Sequence, residues 1–222
     1  MPKKNKVKFN IRNVHYALQN AADDGTVSFE TPVPMPGAVS LSLDANGEPS
    51  TFYADGCAYY IISNNMGYEG DLELAMLPES FRTDVLKEEL DTNKVLVENA
   101  NVEVQNFALL FEFDGDIKKI RHVLYNCAAS RPSIESQTNE DEIEVKTETL
   151  SITATPLANG YVKAKTGDDT TDTVYADWYK SVYMPTAEAA ESDAAAQSTT
   201  TAKAVSSTTA ASTSTSTKTA KE

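Results

Sequence analysis

The stretch Phe107 to Ser130, FALLFEFDGDIKKIRHVLYNCAAS, constrains this chain more than any other. Phe107, Leu109, Phe111 and Phe113 recur at every second residue, so an extended backbone places all four on one face. Asp114-Gly115-Asp116 follows, and aspartate and glycine tolerate the positive φ of a tight turn. Ile117 to Ala128 then supplies a returning strand with apolar residues on both faces, as in a central strand covered on both sides. The pair predicts the centre of an antiparallel β-sheet core.

The same reading extends along the chain. Val7 to Leu18 (VKFNIRNVHYAL) predicts a first strand or arm, and Asp23-Asp24-Gly25 a turn before Val27 and Phe29. Pro32, Pro34 and Pro36 forbid a central strand and mark a stiff connector or edge. Val39, Leu41 and Leu43 alternate with Ser40 and Ser42 in a half-buried strand. A loop, Asp44 to Ser50, precedes Phe52 to Ser63 (FYADGCAYYIIS), which is aromatic and apolar on both faces and interrupted by Asp55-Gly56. After the loop Asn64 to Gly67, Leu72, Leu74 and Met76 alternate with Asp71, Glu73 and Ala75. The period then changes: Pro78, Glu79, Phe81, Val85 and Leu86 predict one short helix over about 78–90. Ile143 to Leu157 reads as one long strand whose apolar phase switches, and Gly160 to Lys165 with Val174 to Tyr183 are expected to close the sheet.

Past Pro185 the composition collapses to Ala, Ser and Thr, without an aromatic residue. Such a segment cannot bury enough apolar surface to offset its chain entropy and is expected to be disordered. The expected organisation is therefore a β-rich domain over 1–185 and an Ala/Ser/Thr-rich extension over 186–222.

The formal net charge of −14 disfavours partners with phosphate backbones or anionic lipid headgroups. Lysines and acids nearly balance in the extension, so the acidity belongs to the folded body. The basic start, MPKKNKVKFNIRN, has no apolar run behind it, so no secretory signal is expected. No stretch reaches the roughly 18–20 apolar residues of a membrane-spanning helix, and a cytoplasmic site of synthesis is expected. Cys57 and Cys127 both sit among apolar residues. A buried disulfide is conceivable, but two reduced, core-packed thiols suit a reducing compartment better.

Catalytic patterns are missing. The chain has no phosphate-binding glycine loop, no dinucleotide fingerprint and no nucleophile elbow. His122 alternates with Ile120 and Leu124 and reads as a packed strand histidine; His15, beside Tyr16, reads the same way. Asp114 and Asp116 lack calcium-loop spacing and are explained by the turn. No enzyme, cofactor or metal site is expected. Tyr53, Tyr59, Tyr60 and Tyr68 lie close together in the sequence. Some suit a sheet core, but amphipathic aromatics are also favoured at protein–protein contacts, which makes the four candidate subunit-interface residues.

Several long blocks then point one way: VKFNIRNVHYA, PGAVSLSLDANGEPSTFYADG, GYEGDLELAMLPESFRTDVL, VLVENANVEVQNFALLFEFDGD, IRHVLYNCAASRPS and ETLSITATPL. In this order they resemble the major tail protein, or tail tube protein, of long-tailed phages with flexible, non-contractile tails, from about Val7 to Tyr183. The resemblance implies a β-sandwich or barrel-like sheet flanked by a helix, with long loops or arms. It implies hexameric rings stacked into a tube whose lumen passes DNA without specific binding. It also implies assembly in the host bacterial cytoplasm, a final place in the virion, and tail-tip, tape-measure and tail-terminator proteins as partners. The basic N-terminal arm and the loops Asp44–Ser50 and Asn64–Gly67 are then expected at ring-to-ring contacts. The competing expectations are a β-sandwich adhesin on a Ser/Thr-rich stalk and an enzyme built on an acidic pair.

Overall fold

The computed structural model describes residues 4–22, 25–138 and 145–185, and the contact-dense unit runs from Met1 to Tyr183. The expected disorder past Pro185 and the beginning of the strand expected from Ile143 lie outside the described residues.

The chain is mainly β, as the alternating patterns predict. Its strands are β1 (Lys8–Ala21), β2 (Val27–Phe29), β3 (Val33–Pro34), β4 (Ala38–Asn46), β5 (Ser50–Ala54), β6 (Cys57–Ile62) and β7 (Gly67–Leu74). A short helix, α1 (Glu79–Asp84), leads to β8 (Glu89–Leu90), β9 (Leu96–Val97), β10 (Phe107–Gly115), β11 (Ile120–Ala129), β12 (Glu148–Thr155) and β13 (Lys163–Lys165). A second helix, α2 (Asp172–Asp177), follows. The main sheet is antiparallel in the order β2-β1-β10-β11-β12-β7-β4, with β13 on β11 and β3 on β1. It curls far enough to bring β4 near β1 without a hydrogen-bonded seam, giving a barrel-like sheet.

Strands β10 and β11 sit at the centre because both of their faces are covered. Phe107, Leu109 and Phe111 point inward with Tyr16, Leu72, Leu74, Leu124, Leu150 and Ile152. Phe81 of α1 caps this interior, packing edge-on against Tyr16 and Phe107 at 5.2 and 5.4 Å. The opposite face meets the end of the unit: Trp178 Nε1 donates to the His122 carbonyl, and the Tyr125 hydroxyl donates to the Tyr183 carbonyl. Glu112, fully buried on that face, accepts hydrogen bonds from Lys119, Arg121, Asn13 and Tyr179 at 2.7, 3.2, 2.7 and 3.4 Å. Arg121 in turn lies on the Tyr175 ring at 3.9 Å, so α2 closes over the ion cluster.

Strand β1 bends twice to follow this surface. Asn10 and Asn13 take positive φ at two register shifts against β10, and each donates its amide back to that strand, to Asp114 and Glu112. Asparagine is the non-glycine residue best suited to such bulges. Gly67, at the start of β7, has φ +108°, and a Cβ there would lie 1.8 Å from the Ala154 carbonyl oxygen. No larger residue fits between β7 and β12.

The structure corrects several expectations. Val174 to Tyr183 does not close the sheet. Tyr175, Trp178 and Tyr179 have helical spacing and fall on α2 and the turn after it, so there are two short helices among the described residues. The first helix ends at Asp84, well before residue 90. Lys87 adopts φ 59° and the Glu88 N–H returns to the Arg82 carbonyl, although Val85 and Leu86 stay buried. The strand expected from Ile143 is seen as β12 only, preceded by the exposed Val145. Met76 lies beyond the end of β7 and is exposed. The central turn follows Gly115, because the N-terminal arm extends β10: the Lys6 N–H donates to Asp116, and Arg12 pairs with Asp114 at 3.1 Å.

Candidate subunit interface

Two strand pairs stand apart from the main sheet, the two-residue β8 with β9 and the longer β5 with β6. Among the described residues β5 and β6 pair only with each other, through register pairs Ser50–Ile62, Thr51–Ile61, Phe52–Tyr60, Tyr53–Ala58 and Ala54–Cys57. Asp55 and Gly56 connect them with φ 53° and 77°, the two positive values of a two-residue hairpin turn whose twist matches that of the strands. The register shift between Phe52 and Tyr53 makes Tyr59 the extra residue of a bulge.

The composition of this hairpin is that of an interior, but its surroundings are solvent. Phe52, Tyr53, Tyr59, Tyr60, Ile61 and Ile62 are each between 51 and 69% exposed. Paired residues share a face, so Phe52, Tyr60 and Ile62 lie on one side and Tyr53 and Ile61 on the other. A hairpin that only protected itself from water would have one polar face. An isolated two-stranded hairpin is marginally stable in water, and a continuous exposed apolar surface of this kind marks an interaction site.

The sequence candidates divide accordingly. Tyr53, Tyr59 and Tyr60 come together on the hairpin. Tyr68 does not join them: it is half-buried on β7, where it accepts a hydrogen bond from Lys163 and lies under that ammonium at 4.1 Å. Cys57, expected in the core, is exposed at the hairpin turn, while Cys127 is fully buried and both thiols are free. Burial pushes the Cys127 thiol up to about 12. Phe52, Ile61 and Ile62 were not candidates. The signal that finds them is Asp55-Gly56 between two β-prone runs, a strong short-range hairpin signature, here read as an interruption within one segment.

The histidines are structural. His15 packs on Tyr179 with ring centroids 4.6 Å apart, its Nδ1 in hydrogen-bond contact with the Asn13 carbonyl. His122 stacks parallel to Phe111 at 5.1 Å. Burial, reinforced by Lys165, Lys8 and Lys163, pushes the His122 pKa down to about 4. The unfolded chain therefore takes up this proton at about pH 6.5, well before the folded one does. Stability contributed by neutral His122 is present above that pH and is lost as pH falls toward 4. Urea unfolding of wild type and His122→Phe between pH 7.5 and 4 should show the variant gaining relative to wild type as pH drops. A difference independent of pH would contradict this assignment.

Among the described residues, no group of three or more His, Cys, Asp or Glu is placed to hold a metal ion. Nor is any helix among them long and apolar enough to cross a membrane. Comparison with known protein families gives no match, and comparison with curated proteins gives none either.

Proposed function

We propose that this chain is a structural subunit, not an enzyme, and that copies of it assemble into rings stacked as a tube of the tail-tube kind. The observation that carries the reading is the β5–β6 hairpin, whose two apolar faces are both open to water. A partner that covers both faces must receive the hairpin between two surfaces. A second copy that receives this arm while extending its own to a third makes a heterologous contact, the kind that closes into rings or continues as a stack. The ordered blocks resembling major tail proteins of long-tailed phages support the same reading. On it, the subunit assembles in the bacterial cytoplasm, ends in the virion, meets tail-tip, tape-measure and terminator proteins, and surrounds DNA without specific binding. An acidic body suits that last role, because it repels the phosphates it guides.

Negative-stain electron microscopy and sedimentation over a concentration series test the proposal. The expected result is rings or tubes of uniform diameter above a threshold concentration. Heterogeneous aggregates, or a monomer at all concentrations even when tail-tip proteins are supplied, would contradict it.

A further inference from the structure

The interior of the curled sheet opens at one end into a cleft of about 300 Å³. Leu41 and Leu43 of β4, Phe111 and Phe113 of β10 and the stacked His122 form its floor. Its rim is basic. Lys8 lies 5.0 Å over the Phe113 ring, and Lys163 covers Tyr68. Neither Lys8 nor Lys163 has an ion-pair partner among the described residues. In a chain carrying a net charge of −14, an aromatic cleft edged by lysines without ion-pair partners is a local reversal of sign. It selects an occupant that offers an apolar ring and a carboxylate together.

The tip of the β5–β6 hairpin is such an occupant. Tyr53 and Asp55 lie two residues apart, both exposed, and the positive φ of Asp55 places the carboxylate at the turn itself. A cleft of this size takes the side chains of a hairpin tip but not its strands. The hairpin is exposed along its length and does not line its own chain's cleft, so the occupant comes from another copy. We infer that the lysine-rimmed cleft is the acceptor for a second copy's hairpin tip, with Tyr53 against Phe111 and Phe113 and Asp55 between Lys8 and Lys163. This inference rests on the reading of the hairpin as an assembly arm and adds the surface that receives it.

Charge exchange between copies tests it. Asp55→Lys puts a cation on the tip, and Lys8→Glu with Lys163→Glu makes the rim acidic. Each full-length variant alone should self-associate about tenfold more weakly than wild type or worse. An equimolar mixture should recover most of the loss, because each tip then meets a rim of opposite charge. A cyclic peptide of residues 50–62, titrated into the wild-type chain, should shift the His122 imidazole resonances, and its Asp55→Lys form should do so about tenfold more weakly. The peptide assay reads the cleft even where the variants fold poorly. Wild-type-like association of both variants, a mixture no better than its components, or a peptide that leaves His122 unmoved would overturn the inference. Should wild type still assemble with its hairpin buried, only the acceptor is wrong; with no assembly and no peptide binding, both readings fall.

Discussion

Replacing Glu112 with leucine is expected to destabilise the fold by about 3–5 kcal/mol, as removal of one partner from a buried ion cluster does. The carboxylate has no solvent exposure and is shared by Lys119 and Arg121, with Asn13 and Tyr179 completing its hydrogen bonds. Lys119 is partly exposed and can turn to water. Arg121 is 16% exposed and held beneath Tyr175, so its charge would stay buried without an anion. In a domain of this size the loss corresponds to a melting temperature lower by on the order of 10 °C. The combined Glu112→Leu and Arg121→Met variant should lose clearly less, because no uncompensated charge remains. Denaturant unfolding of the single and combined variants checks this. A single variant within about 1 kcal/mol of wild type would show that the cluster adds little, and that α2 is held by its ring contacts instead.

The second large effect falls on assembly and spares the fold. Phe52→Ser with Tyr60→Ser strips one face of the hairpin, and Tyr53→Ser with Ile61→Ser strips the other. None of these residues packs on the core, so each double variant should keep its unfolding free energy to within about 0.5 kcal/mol. Aromatic anchors at the centre of an interface cost about 2 kcal/mol or more each when truncated. Each double variant should therefore self-associate roughly 100-fold or more weakly, as read by sedimentation velocity. Loss from both faces is the discriminating result. If one double variant assembles normally, the hairpin lies on a single surface and is not inserted between two.

The contrast between these regions explains what the sequence made legible. Alternation at Phe107–Phe113 and at Val39–Leu43 reads directly as strands, because a period of two is a local property. The positions of β10 and β11 at the centre follow from apolar residues on both faces. Phe52–Ile62 shows the same two-faced pattern and is exposed instead. A run apolar on both faces needs cover on both sides, but local spacing does not say whether the cover comes from the same chain. That difference lies in non-local pairing: β10 has neighbours on both edges, and β5 and β6 have only each other. Cys57 looked core-packed for this reason, and Tyr68 looked like its neighbours in sequence although β7 carries it into the main sheet. The helix α2 was hidden by composition. Tyr175, Trp178 and Tyr179 have high strand propensity, and only their spacing of three and four residues shows that they share a helical face. The ion cluster at Glu112 was invisible as a whole, since Arg121 and Lys119 reach Glu112 across the β10–β11 hairpin, Asn13 through the register of β1 with β10, and Tyr179 through the return of the chain after β13.

The most direct test of the account is a thiol footprint of the hairpin before and after self-association. Cys57 is exposed beside the hairpin turn, and Cys127, fully buried with its thiol pushed up to about 12, serves as an internal control. In the dilute monomer, a brief maleimide pulse should modify Cys57 and leave Cys127 untouched, with both labelled after unfolding. In the assembled fraction, Cys57 should label at least about tenfold more slowly than in the monomer, because partner surfaces exclude the reagent. Rings or tubes in which Cys57 labels as fast as in the monomer would contradict the central claim that this hairpin is the arm by which the subunits join.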